Sequence, residues 1–328
     1  MSMTDEYTPT TGMGDALEAV KEAVSSKELV AYLTHYYVHD QSITATDGRM
    51  VACGPFPDER EYLVPADEFE KVLALVGEDG KISIKDDHIL VSGRKRRAKV
   101  RTLDPKNFAH LLPPEGKEPC PDTLLPVLRR LRPFVSDDAS KSWAMSVMFK
   151  DGCGYATNNV VVAASTLDEP FKDVLIPSWA VDYLLARDIA PNEYALSENC
   201  LAFHFPDGSW MRTQLLVGEP PELIFTLMGG VTDTSTGSII HQEWRDAFEA
   251  VAALSENEVR IHPTKLSGGK RHADVEIDVQ SGVAGEASFH PKFMGLVLTA
   301  ADHWDLSTYP DPAPWWGNNI KGLMVGRR

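Results

Sequence analysis

The sequence predicts an α+β fold of three similar modules, each with two helices packed on antiparallel sheets. Three observations carry this. A unit of strand, proline-started helix and three more strands recurs around Pro65, Pro177 and Pro291, at spacings of 112 and 114 residues. A second helical stripe precedes each unit. Behind each helix, apolar and polar residues alternate about short turns, the mark of half-buried strands joined as hairpins. At 328 residues, the chain exceeds one ordinary core and fits two or three domains of about 100–150 residues.

Phe69, Val72, Leu73 and Val76 fall at helical spacing, as do Val181, Leu184 and Leu185, and Phe293, Leu296, Val297 and Ala300. A proline lies within the first turn of each helix, where its missing N–H costs little. Ile82, Ile84 and Ile89, Val91 bracket the turn DDH, as Tyr194, Leu196 and Leu201, Phe203, Phe205 bracket SEN. The preceding helices, DALEAVKEAVSS, DTLLPVLRRLRPFVS and HQEWRDAFEAVAALS, carry apolar stripes: Leu17, Val20, Val24; Leu124, Leu128, Leu131, Val135; Trp244, Phe248, Val251 with Leu254 or Ser255. ITATDGRMVAC and GYATNNVVVAA align on Thr46 and Thr157, 111 residues apart. Segments 111–122 and 218–237, rich in Pro, Gly and acid, mark the boundaries. The expected domains are 15–115, 116–228 and 229–328, behind a disordered stretch 1–14.

Hydrophobic residues make up 43% and charged residues 24%, the balance of a globular protein with a real core. No apolar run approaches the ~18 residues that cross a bilayer. The start MSMTDEYTPTTGMG lacks the basic and apolar regions of a signal peptide, so a cytoplasmic location and no membrane partner are expected. Cys53, Cys120, Cys153 and Cys200 show no ligand spacing, so reduced thiols and no metal or cofactor are expected. The net charge of -16 argues against coating nucleic acid with the whole surface; any such contact needs a local basic face. His35, His39 and Asp40 lie close in sequence, and His290 and His303 flank the last helix, but no metal motif, phosphate loop or nucleophile elbow accompanies them. Trp315 and Trp316 read as an aromatic hairpin on the third module rather than a sugar-stacking surface.

The order of these motifs resembles the bacterial sliding-clamp family, the DNA polymerase III beta subunit. ATDG at 45–48 looks like a motif of the family's domain 1, and VPADEFEKVLALV followed by VSGRKRRAKVRTLDPKNF like the end of that domain. LIPSWAVDYLL and QLLVGEPPELI, with Gly218 and Pro221, are similar to the proline-started helix and closing segment of domain 2. FEAVAALSEN and GLMVGRR resemble the interface helix and hydrophobic tail of domain 3. The likeness spans 15–328 and resides in order and spacing, since each motif alone is common. It implies a non-enzymatic processivity factor: three DNA-clamp domains per chain, forming a ring by oligomerisation as a head-to-tail homodimer around double-stranded DNA. Such a ring tethers DNA polymerase and clamp loader through linear peptide motifs. The short length and altered pocket suggest a bacteriophage origin.

The resemblance also implies sites. Sequence-independent DNA contact falls to Arg129, Arg130 and Arg132, to Lys95, Arg96 and Arg97 of the basic run 94–101, and to Lys21. Lys71, Arg187 and Lys292 are supplementary. The helices around Asp15, Glu18, Glu22 and Glu243, Asp246, Glu249 are acidic, so the lumen is only patchily basic. The peptide pocket draws on Thr157, Val160, Val161, Val162, Pro221, Leu323 and Met324. Here Asn158, Asn159, Val160 and Val161 replace the family's residues after the threonine, and Gly326, Arg327 and Arg328 end the tail where the family is apolar. The ring interface sets Ala98 and Val100 against Ala253 and Leu254 of a second copy. Two other readings stay open: a clamp-like scaffold that no longer closes on DNA, and an enzyme or glycan-binding protein on a repeated α+β scaffold.

Overall fold

The computed structural model describes residues 12–27, 29–77, 80–85, 87–93, 95–232, 237–270, 273–281 and 285–327. Most of the expected disordered stretch, together with Arg94 and Arg328, lies outside them; helix α1 nevertheless begins within it, at Met13.

The first module contains α1 (Met13–Val20), β1 (His35–His39), β2 (Ser42–Thr46), β3 (Met50–Pro55), β4 (Tyr62–Pro65), α2 (Ala66–Val76), β5 (Lys81–Lys85), β6 (His88–Gly93) and β7 (Arg96–Arg101). The second follows with β8 (Glu118–Pro119), α3 (Leu124–Leu131), β9 (Ser146–Lys150), β10 (Cys153–Thr157), β11 (Val161–Thr166), β12 (Val174–Pro177), α4 (Ser178–Arg187), β13 (Glu193–Leu196), β14 (Cys200–His204) and β15 (Trp210–Gln214). After α5 (Glu222–Gly229) come β16 (Ser238–Ile239), α6 (Gln242–Ala253), β17 (Val259–His262), β18 (Lys265–Lys270), β19 (Ala273–Asp278), β20 (Ala287–Phe289), α7 (Pro291–Ala300), β21 (His303–Trp304), β22 (Ala313–Gly317) and β23 (Ile320–Met324). All three repeats of strand, helix and hairpin are present. Pro65 caps α2 and Pro291 opens α7, positions that spare a backbone hydrogen bond. Leu254 is exposed and Ser255 completes the α6 stripe, its hydroxyl donating to the Val251 carbonyl at 2.8 Å. Helix α5 falls in a stretch that reads as a linker.

Two compact units result, and their boundaries cut across the modules. The first unit takes residues up to 122 together with Asp182–Leu215. Its eight-stranded sheet runs β4-β1-β2-β3-β15-β14-β13-β8, so that β3 of module 1 pairs with β15 of module 2. Helix α1 packs on β2 and β3, burying Ala16, Leu17, Ala19 and Val20. A separate sheet, β5-β6-β7, lays Ile89, Val91 and Val100 against α2, whose buried stripe is Phe69, Leu73 and Val76.

The second unit takes Thr123–Val181 and Leu216–Arg328. Its eight-stranded sheet, β12-β9-β10-β11-β23-β22-β21-β16, repeats the same joint: β11 of module 2 pairs with β23 of module 3. Four further strands run β19-β18-β17-β20 beneath α6. The β22–β23 hairpin is the expected aromatic one: Trp315 is 1% exposed and stacks on Phe134 at 5.4 Å between ring centroids. Gly322 lets this indole approach the β11 joint, because a Cβ there would lie 2.2 Å from Trp315 and 2.3 Å from the Val162 carbonyl. Gly322→Ala should therefore destabilise the protein by about 1–3 kcal/mol through overpacking, read as an earlier urea unfolding transition.

Candidate functional site

The motifs that align on Thr46 and Thr157 build the same turn twice. Thr46 Oγ1 donates to the Met50 carbonyl at 2.7 Å and accepts from the Gly48 amide; Asp47 Oδ1 accepts from the Arg49 and Met50 amides. Thr157 Oγ1 donates to the Val161 carbonyl at 2.8 Å and accepts from the Asn159 amide, while Asn158 Oδ1 accepts from the Val160 and Val161 amides. Gly48 and Asn159 both sit in the left-handed region, at φ 88° and 71°, which glycine and asparagine tolerate best. Asn158 and Asn159 thus keep the turn geometry with neutral groups. The substitution that looks like a departure in the sequence conserves the local fold.

This turn delivers β11 to β23 in a defined register, with Val161 opposite Met324 and Val162 opposite Leu323. Strand alternation then divides the expected pocket set. Val161 and Met324, 0% and 1% exposed, face the core and are closed to a ligand, which corrects their assignment as lining residues. Val162 and Leu323 lie on the opposite face, half-buried against Ala164, Met228, Val231 and Trp316, with Tyr155 and Cys153 beside them. Val160 is also half-buried, and its carbonyl accepts from the Val325 amide at 2.9 Å.

Helix α5 borders this apolar patch. Pro221 is its N-cap and is exposed; Met228 and Ile224 are buried, while Leu223 and Leu227 are 63% and 44% exposed. Phe225 meets Tyr155 edge-on at 5.0 Å, and Lys150, bonded to Glu222 at 2.9 Å, sits 4.4 Å over the Phe225 ring. Tyr155, Phe225 and Met228 are contributors that motif reading did not single out, and Trp316 joins them from the aromatic hairpin. The apolar run ELIFTLMG after Pro221 was the available signal.

The expected DNA-contacting cations are scattered. Arg129 is exposed on the last turn of α3, where positive charge suits the helix dipole. Arg130 and Arg132 are half-buried, Arg130 in a cavity of about 430 Å³ shared with Asp168, Ser165 and Lys321. Lys21 bonds Glu18 at 2.5 Å, which raises its pKa, and shares a cavity with Asp15, Glu22 and Asp207. Arg96 donates to the Leu75 carbonyl at the end of α2, at 2.8 Å. Lys95 occupies the hairpin turn at φ 66°. Arg97, Lys99 and Arg101 are exposed along one face of β7. Among the supplementary cations, Lys71 pairs with Asp67 and Arg187 with Asp207. Arg245 is spent on the Leu298 and Ala301 carbonyls at the end of α7, leaving Glu243, Asp246 and Glu249 exposed on α6.

Of the expected interface residues, Val100 is 4% exposed and turned into its own module against Ile89, so its side chain is closed to a partner. Ala98 is half-buried; Ala253 and Leu254 are exposed at the end of α6. Among the described residues, β7 and β19 each have a strand neighbour on one side only. No group of His, Cys, Asp and Glu there has the geometry of a metal site, and no helix is long and apolar enough to cross a membrane.

Thr157→Val should cost about 0.5–1.5 kcal/mol, because it removes the hydroxyl shared by the Val161 carbonyl, which keeps only its bond from the Asn158 amide, and the Asn159 amide. Thr46→Val should cost a similar amount in the equivalent turn, both read by chemical denaturation.

No family model and no curated protein matches the sequence. Solved structures do. The beta subunit from DNA polymerase of Streptococcus pyogenes superposes with TM-score 0.82 at 18% identity, over 95% of this chain and 96% of that one. A putative DNA polymerase III beta subunit from Eubacterium rectale gives 0.80 at 12% identity, with the same coverages. The sliding clamp from Bartonella birtlesii bound to griselimycin gives 0.80 at 17%, again over 95% and 96%. Over nearly its whole length, the chain has the fold of the DNA polymerase III beta-subunit sliding clamps.

Proposed function

We propose that this protein is a DNA sliding clamp: a non-enzymatic processivity factor whose copies join head to tail into a ring around duplex DNA. The observation that carries the reading is the repeated joint. At β3–β15 and again at β11–β23, the third strand of one module's first meander pairs with the last strand of the next module. Extending the rule once more calls for β19, the third strand of the β17–β18–β19 meander of module 3, to pair with β7, the last strand of module 1. Both are open edges, and an open edge is a template for a further strand. Pairing between copies satisfies both edges and closes a homodimer.

DNA contact in this reading is weak and falls mainly to Arg129, Arg130 and Arg132 on α3, with Lys21, Lys95, Arg96 and Arg97 lesser contributors. Retention is topological rather than adhesive. Linear peptides of DNA polymerase and clamp loader dock on the patch formed by Val160, Val162, Leu323 and the exposed side of α5 at Pro221, placing an apolar anchor beside Tyr155 and Trp316. Tethering then raises the local polymerase concentration at the primer end. Thr157 holds the turn that sets this patch.

The exposed acids of α1 and α6 favour a second reading, a clamp-like scaffold that does not hold DNA. Loading onto circular DNA separates the two. A clamp stays on closed circular DNA through a high-salt wash and is lost once that DNA is linearised; equal loss from both forms supports the scaffold. Leu323→Asp should leave the dimer intact in sedimentation yet abolish both loader-dependent retention on circular DNA and stimulation of its polymerase on a primed template. Full stimulation by that variant would remove the patch from the docking site.

A further inference from the structure

The two internal joints share one register, and that register transfers to the open edges. Val64, Ile176 and Phe289 each lie two residues before a helix and oppose Tyr36, Val147 and Val259. Counting two residues on and crossing two hairpins leads from Val38 through Ile43 to Gly54, from Phe149 through Gly154 to Ser165, and from Ile261 through Leu266 to Ile277. Cys53, Ala164 and Glu276 are therefore equivalent. On the other side of the joint, Leu201 opposes Thr213 as Ile89 opposes Val100, which makes Trp210 equivalent to Arg97. The Asn192 amide donates to the His204 carbonyl as the Asp302 amide donates to the Trp316 carbonyl, so Lys321, opposite Trp316, is equivalent to Trp210, opposite His204; Cys53 opposes Trp210 as Ala164 opposes Lys321.

We infer that β19 of one copy pairs antiparallel with β7 of the next, with Val275 opposite Ala98, Glu276 opposite Arg97 and Asp274 opposite Lys99. This rests on the proposed ring and specifies its seam. The parity is consistent: Arg97, Lys99, Asp274 and Glu276 are exposed, whereas Ala98 and Val275 are half-buried on the other face. Opposite charges facing across strands stabilise the pair, and like charges destabilise it. The basic edge is thus barred from another β7 and the acidic edge from another β19, so only head-to-tail assembly is allowed. Within one copy, Lys265 already holds Glu276 at 2.9 Å, which positions the carboxylate before the partner arrives.

Two charge-reversed full-length proteins test this: Arg97→Glu/Lys99→Glu, and Asp274→Lys/Glu276→Arg. Each alone should sediment as a monomer at concentrations where the wild type is dimeric, with the dimer Kd raised about tenfold or more. An equimolar mixture should restore the dimer, with one copy of each by native mass, because both of its seams regain opposite charges. That rescue also shows that both variants fold. Wild-type dimerisation of either variant alone, or no recovery on mixing, overturns the seam while leaving the ring reading standing. A wild type that is monomeric throughout and is not held by circular DNA overturns the ring itself. The register is read by oxidation: Arg97→Cys/Glu276→Cys should form an intermolecular disulfide, since directly opposed residues lie about 4.5–5.5 Å apart. Lys99→Cys/Glu276→Cys should not, and the reverse preference overturns the register.

Discussion

Backbone pairing between modules is the constraint on which the rest of this structure depends. Neither β3 nor β11 closes its sheet with a strand of its own module; each takes a strand that arrives more than a hundred residues later. The hydrogen-bond ladder fixes which side chains share a face, and so creates both the core around Trp315 and the half-open patch around Val162 and Leu323. Small residues make the ladders possible. Ala52, Ala163 and Gly322 stand where a larger side chain would push packed layers apart.

Charge is distributed by a different logic. The protein is strongly acidic, yet several of its cations do structural work: Arg96 and Arg245 terminate helices, and Lys21, Lys71 and Arg187 neutralise nearby carboxylates. The cations left exposed on a regular array are those of β7, and the acids of β19 match them in spacing. In the proposed ring, the seam between copies and the contact with DNA share Arg97 but otherwise draw on different residues, and ionic strength acts on both.

Much of the fold is legible in the sequence because local signals agree with tertiary ones. Prolines mark the helix starts, alternation marks the hairpins, and the repeat fixes their order. Helix α5 escapes because Pro220, Pro221 and the flanking glycines read as a boundary, while its eight residues are too few for periodicity to overrule them. The candidate site is only half legible. Alternation indicates that neighbouring valines face opposite ways, but which of Val161 and Val162 faces out depends on pairing with β23, a partner about 160 residues distant. Val100, by contrast, is turned inward by its hairpin partner Ile89 and by α2 of its own module. The acids of ADVEID gain meaning only once β19 is known to be an edge.

Sheets that cross module boundaries also bear on how such a chain is cut or recombined. Cleavage in the 111–122 connector would not free a self-contained domain, because β3 would lose its neighbour β15 and the remainder would keep β15 without β3. Both fragments would expose raw strand edges prone to aggregation.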